Sequence, residues 1–283
     1  MNELQIHTLL EQASRFYEDD KTLHAIQLLK QVIAASPTCE KAYVMLAQIY
    51  FETKRPDFAE KVLLQGLEAN NDNLEYYLLL GNLHLRQLHF EQALACFEKI
   101  RNLNIPQVHL NLGLIYLGFG RLSEAEAELK RAAALEPNLP QVYELWGEVL
   151  LEQKRISEAV EILQHAVRLD QYSGSSHRLL GEAFAHLSQW EMAYDKLVLA
   201  VDLNPDDAEA WCLCGDVLLR LNCYAEAQTY LGRSLQLQPN YPEALADYGL
   251  ACAMLGENDK ALEAFESASK KLSSRPVANQ YEN

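Results

Sequence analysis

Three cysteines crowd into the segment WCLCGDVLLRLNCYAEA, as Cys212, Cys214 and Cys223. Thiolates at short spacing are ligands of structural zinc, which needs four donors converging tetrahedrally. Two features oppose that chemistry here. Residues two apart on a helix lie about 200° apart around its axis, so Cys212 and Cys214 cannot face one ion unless the helix unwinds. Cys223 falls beyond the helical run, in a turn. The cysteines are therefore expected to fill packing positions, and no metal site is expected. All six cysteines are scattered without a disulfide framework, which predicts reduced thiols and a cytoplasmic protein.

The segment YSGSSH, residues 172–177, sets serines before His177, the raw material of a nucleophile–base pair. The same residues serve equally to cap a helix, which is the reading adopted. GFGRLS, residues 118–123, looks like a phosphate loop but follows a helical pattern rather than a strand, so it reads as a turn between helices. No HExxH, Walker A or G-x-S-x-G pattern is present. His84, His89, His109, His165 and His186 show no i,i+4 pairing. No catalytic residue and no cofactor is expected.

The elements carrying these residues follow from composition and period. The chain has 283 residues, 49% of them hydrophobic, with only 12 Gly and 9 Pro, a mixture rich in helix formers. Forty acidic residues against 24 basic give a formal charge of −16, which repels nucleic-acid phosphates and anionic membrane surfaces. The N-terminal segment MNELQIHTLLEQASRFYEDD lacks the basic start and apolar run of a signal peptide, and no apolar stretch reaches membrane-spanning length. No nucleic-acid partner and no membrane insertion are expected.

A small residue recurs at Ala13, Ala47, Gly81, Gly113, Gly147, Gly181, Gly215 and Gly249, in steps of 34 except one of 32. Twelve residues after each stands an alanine, from Ala25 to Ala261, and four later a large apolar residue, from Leu29 to Phe265. Prolines punctuate the following loops at Pro37, Pro137, Pro205 and Pro239. Each unit holds two apolar stripes at helical spacing, helix A and helix B, separated by a short turn. The small residues remove bulk where A and B cross. The pattern resembles the tetratricopeptide repeat, whose signature is W-x2-L-G-x2-Y, then A-x3-F, then P. Cys214 takes the leucine slot of that signature and His177 the tryptophan slot.

The resemblance implies an all-α fold, a right-handed α-α superhelix of eight helix-turn-helix repeats. They span 6–39, 40–73, 74–105, 106–139, 140–173, 174–207, 208–241 and 242–275, forming one solenoid over 1–275 with a flexible tail at 276–283. The third repeat is two residues short near EKIRNLNIPQ, which predicts a trimmed helix B. Helix B of the last repeat is expected to cover that end with a polar face.

In this family helix A lines the concave groove where peptides bind. The groove positions upstream are apolar with amides: Leu78, Asn82, Leu110, Asn111 and Leu114, flanked by Val44, Gln48 and Phe51. Downstream they are acidic: Glu144, Glu148, Glu182 and Asp216, with Glu152, Glu209, Arg178 and Arg220. Some family members clamp acidic chaperone tails with lysines, asparagines and an arginine. Asn82 and Asn111 match the asparagine slots, but Leu78, Gln141 and Leu145 stand in basic ones, which argues against an acidic tail. The expected function is a non-catalytic protein-interaction scaffold binding an apolar and basic segment of another protein. The alternatives are a self-associating structural module and the recognition part of a larger enzyme complex.

Overall fold

A computed structural model describes residues 2–70 and 73–274. The expected tail 276–283 and part of the polar loop 70–73 lie outside the described residues. Among those described there are sixteen α-helices, one 3-10 turn and no strand. The A helices are α1 (Glu3–Glu18), α3 (Glu40–Glu52), α5 (Leu74–Arg86), α7 (Pro106–Gly118), α9 (Pro140–Glu152), α11 (Gly174–His186), α13 (Ala208–Arg220) and α15 (Pro242–Met254). The B helices are α2 (Thr22–Ala35), α4 (Pro56–Ala69), α6 (Phe90–Ile100), α8 (Leu122–Leu135), α10 (Ile156–Leu169), α12 (Trp190–Leu203), α14 (Tyr224–Leu237) and α16 (Asn258–Ser274). The chain divides into two compact units, 1–121 and 122–283. In each, successive helices pack as hairpins and each hairpin stacks on the next.

Helix starts follow local chemistry. Asn2 and Gln5 form a capping box, and the side chains of Asn73, Ser173 and Asp207 cap α5, α11 and α13. Pro56, Pro106, Pro140 and Pro242 open helices where a missing N–H costs nothing. Helix A ends in a Schellman motif in every repeat. In the first, Lys21 N–H donates to Phe16 C=O at 2.7 Å and Asp20 N–H to Tyr17 C=O at 3.1 Å. The left-handed residue this motif requires recurs at Asp20, Lys54, Leu88, Gly120, Lys154, Ser188, Asn222 and Gly256. Only two of these are glycine, so the bonded turn and the packed hairpin hold six other side chains at positive φ.

The crossing of A and B is as close as the small residues predict. A Cβ built on Gly147 would lie 2.3–2.4 Å from Cδ2 and Cγ of Leu163, and one on Gly215 would lie 2.3 Å from Cγ of Leu231. The alanine slots of helix B, Ala25 through Ala227, are fully buried or nearly so. Between hairpins, helix A sends residues in both directions. Cys214 packs with Leu180, Leu197 and Val217 on the upstream side, whereas Cys212 packs with Leu218, Leu231 and Ala244 on the downstream side. The two thiols therefore sit in different cores, as their angular separation on the helix requires. Cys223 is the exposed residue preceding α14.

The short third repeat is trimmed in helix B. α6 has 11 residues where α2, α4, α8, α10, α12 and α14 have 14, and it passes into a 3-10 turn, Arg101–Leu103, with Asn104 left-handed. The last repeat departs from expectation. Its outer face is not uniformly polar: Leu262 is 60% and Phe265 41% exposed, although the residues in the Phe265 slot of the seven earlier repeats are at most 2% exposed. Phe265 still packs on Gly249. Among the described residues no further hairpin follows it.

Three substitutions, each read as a change in stability, test this packing. Gly147→Ala should cost about 1–3 kcal/mol in chemical denaturation, because Leu163 must move off its packed position. Gly232→Ala, where a new Cβ meets nothing nearer than 3.8 Å, should instead be neutral or gain up to about 1 kcal/mol. Leu88→Gly, at φ 60° and 71% exposed, should raise the denaturation midpoint, with a gain of about 0.5–1 kcal/mol from relieved backbone strain.

Candidate ligand-binding faces

In the first unit the upstream residues gather on α5 and α7. Asn111 Nδ2 donates to Asn82 Oδ1 at 2.9 Å, and Gln107 Nε2 donates to Asn111 Oδ1 at 3.0 Å. The amides thus form a ladder between consecutive A helices, which fixes Asn82 and Asn111 as a rigid polar seam. Leu110 is half-buried and Leu114 is 40% exposed, so an apolar strip runs along α7. Leu78 is also half-buried. An open pocket lies between α3 and α5, lined by Gln48, Phe51, Leu79, Asn82 and Arg86 among others. Leu79 rather than Leu78 reaches this pocket. The guanidinium of Arg86 lies 4.6 Å from the centroid of the Phe51 ring, a cation–π contact that closes one side. Arg86 is not among the residues expected from sequence, although it stands one helical turn after Asn82.

In the second unit the acidic positions fall on α9, α11, α13 and α15, and they do not behave alike. Glu144 turns toward the next repeat and accepts hydrogen bonds from the hydroxyls of Ser173 and Ser176. His177 does not meet those serines. Its Nε2 lies 3.1 Å from the carbonyl oxygen of Gln171, six residues back. Tyr143 and Trp211, in the same slot of neighbouring repeats, donate to Pro137 and Pro205 carbonyls with the same six-residue offset, at 2.9 Å. The residue in this slot pins helix A to the loop before it, and the nucleophile–base arrangement is not formed.

Glu148, Glu182 and Asp216 remain directed at solvent within a crowded field. Arg178 is the cation at its centre, 3.1 Å from Glu209, 3.4 Å from Asp207 and 3.8 Å from Glu182. Arg220 pairs with Asp216 at 3.3 Å. Burial pushes the carboxyls of Glu148 and Glu182 upward. Arg178 opposes that rise, while neighbouring carboxylates, Glu209 and Glu152 among them, add to it. Glu148 is exposed by surface area yet desolvated, because protein flanks it and displaces much of its water. Asp247 on α15, absent from the expected set, is pushed up to about 6 by burial and then by Asp216, with Arg220 opposing. A signal for it was available: Asp247 lies two residues before Gly249, within one turn of the small-residue position.

The buried thiols are chemically quiet. Desolvation drives both Cys212 and Cys214 up to about 12, so neither is a thiolate near neutrality. Among the described residues no three His, Cys, Asp or Glu side chains gather as a metal site, and no helix is long and apolar enough to cross a membrane.

Hairpins of two helices, closed over a small residue and repeated at a nearly constant period, define an α-helical repeat protein. Tetratricopeptide repeat family models match residues 16–83 and 116–181, and residues 78–140 and 212–276. The chain belongs to the tetratricopeptide repeat family. No curated protein matches it. Among solved structures it resembles the Cut9 and Hcn1 hetero-tetramer of the APC/C, at 17% identity and TM-score 0.70, covering 84% of this chain and 48% of that one. It also resembles YrrB, described as a TPR protein with an unusual peptide-binding site, at 24% identity and TM-score 0.51, covering 63% and 93%. A third is TTC0263, a thermophilic TPR protein of Thermus thermophilus, at 22% identity and TM-score 0.52, covering 60% and 93%.

The displaced titration of Asp247 has a defined sign. Its folded-state value lies above its unfolded one, so the folded state binds the extra proton between about pH 4 and 6 and is relatively less stable above that window. Asp247→Asn should raise the melting temperature by a few degrees at pH 7.5 and leave it nearly unchanged at pH 4, read by thermal denaturation across pH.

Proposed function

We propose that the protein is a non-catalytic scaffold that holds segments of a partner protein on its A-helix faces. The acidic face of the second unit takes a Lys/Arg-rich segment, and the apolar strip of the first unit takes an apolar one. The observation that carries this reading is the charge imbalance on α9, α11, α13 and α15. Around Glu148 and Glu182, Glu152 and Glu209 add repulsion that Arg178 opposes, and around Asp247, Asp216 and Glu243 add repulsion that Arg220 opposes. Glu148, Glu182 and Asp247, held above their ordinary range first by burial and then by neighbouring carboxylates, are relieved by an incoming cation, whereas a fully solvated face has nothing to relieve. The peptide-binding site of YrrB is a precedent for such a role in a protein of this fold. The six free thiols fit a reducing compartment such as the cytoplasm.

In this reading the apolar strip supplies affinity through burial, at roughly 25 cal/mol per Å² before the entropic cost of ordering the ligand. The acidic face sets register and speeds encounter, in a salt-dependent way. Short Lys/Arg-rich peptides should bind and acidic ones should not, measured by fluorescence anisotropy. Glu148→Gln with Glu182→Gln and Asp216→Asn should weaken basic peptides about tenfold at low salt, or about 1.4 kcal/mol, chiefly through a slower on-rate, with little effect at high salt. Leu110→Ala with Leu114→Ala should instead raise the off-rate of an apolar peptide at any salt. Equal affinity for acidic and basic peptides would overturn the assignment of the acidic face.

A further inference from the structure

We infer that the outer face of α12 is a docking surface for an amphipathic helix of a partner protein, one whose apolar stripe is flanked by Lys or Arg. This surface belongs to a B helix and goes beyond the A-helix faces assigned above. It shows in a comparison of equivalent positions. The residue before the repeating alanine of helix B is Glu124, Glu158 and Glu226 in α8, α10 and α14, and seven residues further on stand Arg131, His165 and Arg233. In α12 the same two positions hold Met192 and Leu199, 47% and 42% exposed. The second position holds Gln31, Gln65 and Lys99 in the first unit and Ser267 in α16, so among the eight B helices the apolar residue there is particular to α12.

At about 100° per residue, Met192, Leu199 and Leu203 fall within about 40° of one another on α12 and span three turns, about 16 Å. Leu203 is 38% exposed. α12 packs on α11 and α13 with its other side, where Ala193, Leu197, Ala200 and Val201 are buried. A lone exposed leucine needs no explanation, whereas a continuous stripe on a surface where the sister helices place charges does. The stripe runs straight along one helix at i, i+7 and i+11. A second helix complements that shape by setting its own apolar ridge against it. An extended segment has no sheet edge here to pair with among the described residues.

Charge fixes the chemistry of that second helix. Along one flank of the stripe, within about 80° of Leu199, stand Asp195, Asp202 and Glu191, all exposed. Lys196, half-buried on the other flank, is the one cation of α12. The flanking helices add acids and bases in like measure. On α10 these are Glu161 with Arg168, and Glu158 with its ion-pair partner Arg155; on α14 they are Glu226 with Arg233. The surplus is therefore negative and sits on α12 itself. It favours a partner with Lys or Arg beside its apolar stripe and repels an acidic one. A second copy of this chain is a poor complement. Antiparallel pairing of two α12 helices about a two-fold axis sets the carboxylate rows side by side, and parallel pairing offers each row of three carboxylates a single lysine.

Fluorescence anisotropy on the full chain tests this, in a background of Glu148→Gln, Glu182→Gln and Asp216→Asn that silences the acidic A-helix face. The probes are a synthetic helical peptide with a leucine stripe flanked by lysines, a scrambled peptide of the same composition, and one with glutamates in place of the lysines. The first should bind, and the other two should bind at least about tenfold more weakly. Met192→Glu with Leu199→Arg gives α12 the pair that α8 and α14 carry. It should weaken the first peptide about tenfold or more, with circular dichroism and melting temperature unchanged. Asp195→Asn with Asp202→Asn should weaken it chiefly at low salt. Binding by the wild-type chain that vanishes in the silenced background overturns the inference while leaving the A-helix reading intact. No binding at all, equal binding of the scrambled or glutamate peptide, or full affinity in Met192→Glu with Leu199→Arg overturns it too. So does light scattering that shows a dimer which Leu199→Arg dissociates, because the occupant is then a second copy.

Discussion

The contact on which the architecture depends is the crossing of helix A over helix B at one small residue. Where Gly147 meets Leu163 and Gly215 meets Leu231, there is no room for even a methyl group in the present packing. This approach brings the alanines of helix B against the neighbouring backbone, and it sets the angle at which residues one turn away leave helix A. Cys212 and Cys214 go to different cores because the crossing fixes how α13 is rotated. The A-helix positions left over after both cores are filled are those carrying Asn82, Leu114, Glu148 and Glu182. The ligand face is thus what remains once packing has claimed its share of each helix.

The hairpins are legible in sequence because that crossing tolerates so few residue types. Eight small residues at nearly constant spacing, each followed at twelve by alanine, locate every helix pair and the shortened α6. The cysteine and histidine assignments follow from the same register. Other features lie below its resolution. The Schellman turns are invisible because six of the eight left-handed residues are not glycine: the backbone bonds, not the side chain, select that conformation. The apolar end of α16 is hidden for a different reason. Leu262 and Phe265 stand among charged residues such as Asp259, Glu263 and Lys270 along the chain, and composition alone does not say which side chains a neighbour would have covered.

The candidate site is legible in position but not in behaviour. Periodicity puts Glu144, Glu148, Glu182 and Asp216 on one side of the A helices, but it treats them as equals. Two serine hydroxyls engage Glu144, whereas Glu148 and Glu182 sit in a desolvated field with Arg178. That difference depends on which side chains the next repeat brings up, a matter of spatial neighbours a whole repeat away along the chain. In the same way Asn82 and Asn111 look like two separate donors in sequence and prove to be bonded to each other.

Helix contacts in each unit run almost entirely between neighbours one or two elements apart. Such a chain has little loop-closure entropy to overcome before its contacts reward it, so low contact order should make its folding fast. It also lacks a single nucleus that every residue must join. Any hairpin with a sound crossing can form first and template the next, and during synthesis the early hairpins can consolidate while later ones are still being made. Mutational damage then travels no farther than the adjoining interfaces, which leaves the exposed A-helix positions free to change with the ligand while the fold stays the same.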